Sequence, residues 1–252
     1  VDNGGQVVCL TPNTTSEISI TDGGSVTIDC PGLNLAGSSG QVGLALIGAH
    51  QVVKIRNLTM SGVSGGSSAI SWTGDGTLIL ENCVFENFNG TALVIQPTGL
   101  LNLVIKNSRI SDNAASGVLI QPGSGGSVTA TFDGVTLADN TGGGLKTDSA
   151  NGPVTLDIYN STVTNNSGVG VNARSGGSLN MVSIKNSVIT KNSAQGVQAN
   201  GANVGVMLGT TLLDSNASGA TSVVSGGHML TYGDNRIVGS AGSGFTGTAS
   251  LQ

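Results

Sequence analysis

The chain has 252 residues with 9 Lys+Arg against 14 Asp+Glu, a formal net charge of −5 and only 9% charged residues. That balance lacks the basic face a general nucleic-acid binder needs, and no run of about 18 apolar residues is present to insert in a membrane as a helix. Glycine fills 41 positions and aromatics only 3%, which excludes an ordinary helical domain but leaves enough aliphatic surface for a core.

The N-terminal region holds Cys9 and Cys30, and Cys83 follows alone. Three cysteines allow at most one internal disulfide. A Cys9–Cys30 bridge suits an oxidising compartment, and three small buried thiols are the competing arrangement. The first residue is Val1 rather than Met, which fits a removed leader.

From residue 51 a period appears. Val53-Lys-Ile-Arg-Asn57-Leu-Thr-Met60, Leu78-Ile-Leu-Glu-Asn82-Cys-Val-Phe85 and Leu103-Val-Ile-Lys-Asn107-Ser-Arg-Ile110 share one template with Leu156 to Val163 and Val182 to Ile189. It reads apolar-x-apolar-x-Asn-x-x-apolar, with Gly134, Thr210 and Asn235 at the corresponding place in three looser copies. The spacing is 24 to 27 residues. A second asparagine recurs six residues later, at Asn113, Asn140, Asn166, Asn192 and Asn216. A glycine and a short alternating run follow it, as in Gly144-Leu-Lys-Thr-Asp148 and Gly170-Val-Asn-Ala-Arg174.

Short period-2 segments between polar turns, without a 3.6-residue period, predict an all-β solenoid. In such a coil, like residues stack about 4.8 Å apart on successive turns. Three inward stacks follow: one from Ile55 to Leu208, one from Met60 to Leu213, and one through Leu93, Val118, Leu145, Val171 and Val197. Asparagine suits the corner because it tolerates left-handed backbone, and an inward amide donates and accepts along the stack. A leucine-rich repeat, with a similar period, places its asparagine differently and needs a helical or 3₁₀ segment. About ten coils in three short parallel sheets are expected of one domain. Residues 1–50 form N-terminal coils and a cap, 51–238 regular coils, and 239–252 a C-terminal cap or tail. Capped ends make a monomer the default, and incomplete capping would allow a dimer.

At these residues the chain resembles the right-handed parallel β-helix superfamily of pectate lyases, polygalacturonases and pectin methylesterases. The Asn57 to Asn235 series resembles the ladder that superfamily carries between its second and third sheets. The segments Gly4-Gly-Gln-Val-Val-Cys-Leu10, Ser25-Val-Thr-Ile-Asp-Cys30, Met229-Leu-Thr-Tyr-Gly-Asp-Asn235 and Gly244-Phe-Thr-Gly247 are similar to those of secreted proteobacterial β-helix repeat proteins of unassigned function. The resemblance implies a secreted, periplasmic or extracellular location. It also makes the strand after the glycine the first sheet, whose outward side chains line the active cleft in the superfamily's enzymes. The fold itself carries many chemistries.

The outward rows of that sheet are Leu119, Lys146, Asn172, Gln198 and Gln121, Asp148, Arg174, Asn200. Gln121, Lys146, Asp148, Asn172, Arg174 and Gln198 form the candidate ligand-binding face. Asp112 and Asp139, at one position of adjacent coils, are secondary acidic candidates. A lyase for acidic polysaccharide needs carboxylates to hold Ca²⁺ and a Lys or Arg base, and a hydrolase needs two carboxylates about one bond. Only Asp148 is acidic in these two rows, and a surface ion pair with Arg174 accounts for it.

A row of alternating charge, Arg56, Glu81, Lys106, Asp133, predicts an outward salt-bridge ladder continuing through Tyr159, Lys185 and Asp234. His50 and His228 read as loop or edge residues, and Trp72 as buried. No metal-ligand spacing, phosphate loop or calcium β-roll repeat is present. The function expected is a rigid extracytoplasmic element with a non-catalytic binding, surface or structural role. Its partner would be a polysaccharide or cell-surface glycan, with no cofactor. The alternative is a polysaccharide lyase or epimerase, with Ca²⁺ entering only there.

Overall fold

The structure, a computed structural model, describes residues 6–8, 18–21, 24–36, 40–48, 52–62 and 65–249. Every pairing between strands is parallel, and the coils stack in register, as Ile105↔Phe132, Phe132↔Ile158 and Ile158↔Ile184 show. Each regular coil presents three faces. The first is a sheet of nine strands among the described residues, from Ile18–Ile20 to Thr221–Val224. The second holds strands such as Leu100–Lys106 and Val154–Tyr159, and the third short strands such as Arg109–Ser111. The second and third faces belong to one sheet of 18 strands among the described residues. They are joined because Val26–Ala36 and Val53–Ser61 run through the corner without a break.

The three inward stacks are buried throughout, from Ile55 and Met60 to Leu208 and Leu213, with Leu93 to Val197 on the first face. Trp72 lies in the same core and donates Nε1–H to the Gly74 carbonyl at 2.8 Å. The core is a column of aliphatic side chains that repeats with the coil.

The corner between the second and third faces is made by the first asparagine series. Asn57, Asn82, Asn107, Asn160 and Asn186 have φ between 47° and 57°, Thr210 has 48° and Gly134 has 67°. This is left-handed backbone, which Asn and Gly adopt at least cost. Their amides face outward, in contrast to the inward ladder expected of them. Asn186 Nδ2 donates to Asn160 Oδ1 at 2.6 Å and Asn160 Nδ2 to Asp133 Oδ1 at 2.7 Å. The left-handed residue breaks the period-2 alternation, so the next residue points inward. Ser108, Ser161 and Ser187 there accept the N–H of Cys83, Val135 and Ser161 at 3.1, 3.1 and 3.2 Å. The last copy is shifted by one: Leu212 pairs with Arg236, which aligns Asn235 with Thr211 and Asp234 with Thr210. Asn235 Oδ1 accordingly accepts from Thr211 N–H at 2.9 Å.

The inward ladder is the second series. Asn113, Asn140, Asn166, Asn192 and Asn216 are buried. Each of the first four amides donates to the Oδ1 of the next coil at 2.8, 3.0, 2.9 and 2.9 Å. The same oxygens take backbone N–H groups of the preceding coil, beginning with Phe88 N–H on Asn113 at 3.0 Å. Glycines 117, 144, 170 and 196 recur beside this ladder because a Cβ there would stand 3.0, 3.3, 2.8 and 2.8 Å from its amide nitrogens.

The charge row pairs only in part. Arg56 Nε meets Asp29 at 2.8 Å and Glu81 meets Lys54 diagonally at 2.7 Å. Among the described residues no ion pair joins Lys106 to Asp133, whose carboxylate is taken by Asn160. Lys185 instead lies 5.3 Å from the centroid of the Tyr232 ring.

Cys30 is buried and disulfide-bonded. Cys9 and His50 lie outside the described residues. Cys83 is a free, buried thiol within 3.3 Å of the Glu81 carbonyl, and burial pushes it up to about 11. Its thiolate is therefore scarce at pH 8, since ionisation sets in only as pH rises toward that value. Maleimide at pH 8 should leave Cys83 unmodified in the folded protein and label it fully in denaturant; rapid labelling of the folded chain, read by mass spectrometry, would contradict this environment.

Candidate functional site

The site lies on the outward side of the first face, where the strands Ser116–Ile120, Gly143–Asp148, Val169–Arg174 and Val197–Asn200 run side by side. Their alternation sends Val118, Leu145, Val171 and Val197 into the core, so intervening residues must point outward. Register then sets the neighbours: Leu119↔Lys146, Lys146↔Asn172, Asn172↔Gln198, Asp148↔Arg174 and Arg174↔Asn200.

Three predicted residues gather about the carboxylate of a fourth, Asp148. Asp148 Oδ2 lies 3.8 Å from Lys146 Nζ and 4.0 Å from Arg174 Nη1, and Gln121 Nε2 donates to it at 3.5 Å. Asp148 Oδ1 accepts the Ala150 N–H at 3.2 Å. The Asp148 side chain is 7% exposed, against 34% for Lys146 and 54% for Arg174. Both cations stand beyond hydrogen-bond distance of the carboxylate. They are held near it by charge, and their donors still face solvent.

Gln96 extends this strip by a coil, its Nε2 donating to Gln121 Oε1 at 3.0 Å. The sequence reading missed it, although it stands 25 residues before Gln121 and follows the Leu93-Val-Ile95 strand. Asn172 lies between Lys146 and Gln198, and its buried Oδ1 has no hydrogen-bond partner among the described residues. Gln198 turns away to Ser222 Oγ, 3.4 Å from its Nε2. Inside the same corner, buried Thr147 and Asn180 bond at 2.9 and 3.1 Å, and Asn180 Nδ2 also donates to the Arg174 carbonyl at 2.7 Å. This polar pair, which the repeat template did not reveal, anchors the backbone that carries Asp148 and Arg174.

Asp112 and Asp139 are not part of the cluster. They occupy the turn entering the first face, with φ of 59° and 58°, while Asp148 ends the strand beyond it. Arg109 Nη2 lies 3.8 Å from Asp112 and 3.6 Å from Asp139, and Asn165 Nδ2 donates to Asp139. Their geometry is that of turn residues sharing a surface cation. Among the described residues no group of three or more His, Cys, Asp and Glu side chains is arranged to hold a metal ion, and no helix is long and apolar enough to cross a membrane.

Comparison with known proteins bears on the fold. The chain is similar in structure to the pectate lyase Pel9A, with TM-score 0.65 at 16% identity over 98% of this chain and 68% of that one. It is also similar to the A-module of the Azotobacter vinelandii mannuronan C-5 epimerase AlgE6, with TM-score 0.53 at 15% identity over 99% of this chain and 88% of that one. No curated protein sequence matches it. The model of the right handed beta helix region matches residues 10–156 and 40–207. With its parallel coils stacked in register beneath that match, the chain belongs to the right-handed β-helix family.

Proposed function

We propose that the chain is an extracytoplasmic rod that binds polysaccharide on its first face without transforming it. The observation that carries this reading is the division of labour around Asp148. The carboxylate is almost fully covered and engaged by Gln121 and the Ala150 N–H, whereas Lys146 and Arg174 keep exposed donors. A covered acid beside two open cations suits a carboxylate-bearing chain, with Gln96 and Gln121 supplying amides for its hydroxyls. The names of the two structural neighbours, a pectate lyase and a mannuronan epimerase, support an acidic glycan. The disulfide at Cys30 supports an oxidising compartment.

In affinity electrophoresis an acidic polysaccharide such as polygalacturonate should retard the protein more than a neutral glucan does. Arg174→Ala should weaken that retardation at least about tenfold, the scale of one charged hydrogen bond. Equal retardation of wild type and variant would remove the first face from the reading.

A second reading, an acidic-polysaccharide lyase or epimerase, is favoured by one feature: Lys146 and Arg174 flank a carboxylate on the face that the superfamily uses for catalysis. In that reading one of the cations is the base, and the single covered carboxylate of Asp148 does not by itself fit a Ca²⁺ ion.

A further inference from the structure

The corner between the first and second faces demands glycine. Gly126 and Gly152 stand there on adjacent coils, each two residues before the inward residues Val128 and Val154 that pair with one another. A Cβ on Gly126 would lie 2.0 Å from the Pro97 carbonyl oxygen, and one on Gly152 would lie 2.0 Å from that of Gly126. Backbone meets backbone here, so a side chain at 152 has no room. The residue before it is free of that constraint, and it is an asparagine.

Four Asn-Gly pairs occur in the chain, of which Asn3-Gly4 lies outside the described residues. The fold holds the other three differently. Asn200 ends the strand Val197–Asn200, and the Gly201 N–H donates to the Val224 carbonyl at 3.1 Å. Asn89 is exposed, but its N–H donates to the Gly66 carbonyl at 2.9 Å and the Gly90 carbonyl accepts the Ala115 N–H at 3.3 Å. Asn151 is exposed in the turn between Gly143–Asp148 and Val154–Tyr159. Neither its side-chain amide nor the backbone N–H and carbonyl groups of Asn151 and Gly152 are hydrogen-bonded to a described residue. Pro153 follows, with no N–H to give.

An asparagine amide carbon is an electrophile, and the next backbone nitrogen closes a five-membered ring on it under three conditions. The amide must rotate, the N–H must carry no hydrogen bond, and the following residue must have no side chain in the way. Asn151-Gly152 meets all three. We propose that Asn151 is a site of spontaneous deamidation, converted to isoaspartate in the folded protein. Gly152 N bonds to Asn151 Cγ and gives up its proton, the Cγ–Nδ2 bond breaks, and ammonia leaves with that proton. Water then adds to the backbone carbonyl of the succinimide and cleaves its bond to Gly152 N, so the chain runs on through Cγ and the old carbonyl becomes a free carboxylate. One water is taken up and one ammonia released.

The Ala150 N–H that engages Asp148 Oδ1 belongs to the residue before Asn151. The product therefore adds a negative charge and one backbone atom to the turn that supports the carboxylate of the first face. The modification itself is independent of what that face binds.

The test is ageing of the folded protein at mildly alkaline pH, followed by tryptic digestion beside an unaged control. Trypsin puts the three pairs on separate peptides, and electron-transfer fragmentation tells isoaspartate from aspartate. Asn151 should convert at least about fivefold faster than Asn200, the weight of one hydrogen bond that need not open, with isoaspartate as the major product. Asn89 should also lag behind Asn151. In denaturant the three rates should converge, because local sequence alone then sets them. Asn151→Gln should remove the product without altering thermal unfolding, since the residue is exposed and glutamine would need a six-membered ring. Conversion of Asn200 or Asn89 as fast as Asn151 in the folded protein, or no conversion of Asn151 where the denatured chain converts, would overturn the proposal.

Discussion

Asn166→Ala should lower the unfolding free energy by about 4 kcal/mol, as much as truncating a core aromatic. Asn166 Oδ1 takes both the backbone N–H and the amide of Asn140 at 3.0 Å. Its Nδ2 donates to the carbonyls of Leu137 and Thr164 at 3.1 Å and to Asn192 Oδ1 at 2.9 Å. The residue is fully buried, so no water replaces these partners, and each orphaned group costs about 1–3 kcal/mol. Asn160, six residues earlier, carries the same amide on the outside. Asn160→Gly, which keeps the left-handed φ of 50°, should cost less than about 1 kcal/mol. Urea unfolding of the two variants checks the contrast, and equal losses would mean that the inward and outward series are assigned the wrong way round.

Gly170→Ala should cost about 3 kcal/mol, although Gly-to-Ala in a strand ordinarily stabilises by restricting the unfolded chain. A Cβ on Gly170 would lie 2.6 Å from the Gly196 carbonyl oxygen, 2.8 Å from Asn192 Nδ2 and 3.1 Å from Ile189 Cγ2. The first is backbone of the next coil and the second a ladder amide, so neither yields without losing hydrogen bonds. Gly205→Ala, facing solvent beside a flexible methionine tip, should stay within about 0.5 kcal/mol of wild type. A Gly170→Ala protein as stable as the parent in thermal and urea unfolding would show that the ladder tolerates displacement.

The repeat made most of the fold legible. Apolar positions recurring every 24 to 27 residues predict the stacks, and every predicted stack is buried. The sense of the asparagines was harder to read because both series share that period. Yet Ile55 and Met60 are both inward and stand an odd number of residues apart, which alternation alone forbids. That odd interval marks the phase break at Asn57 and points to the residue after it as the inward one, Leu58 in this coil and Ser108 two coils on. The misplaced last copy has the same origin, since Asn235 was aligned by residue type where the phase places Asp234.

On the first face the outward rows follow from alternation, so Lys146, Asp148 and Arg174 were predictable as neighbours. What alternation does not supply is depth: Asp148 is nearly covered while Arg174 is half exposed, a difference set by Gln121 and the Ala150 N–H. Asp112 and Asp139 looked like acidic candidates because they recur, but the recurrence belongs to a left-handed turn position that Asn165 also fills.

The most direct test of binding without turnover is proton NMR of acidic and neutral polysaccharides after prolonged incubation with folded protein, with and without Ca²⁺. Elimination would introduce vinyl protons, and epimerisation would move the anomeric signals. Spectra unchanged from the protein-free control, under conditions where the polymer is bound, are the expected result. New vinyl or anomeric signals that disappear with Arg174→Ala would contradict it and establish the first face as a catalytic one.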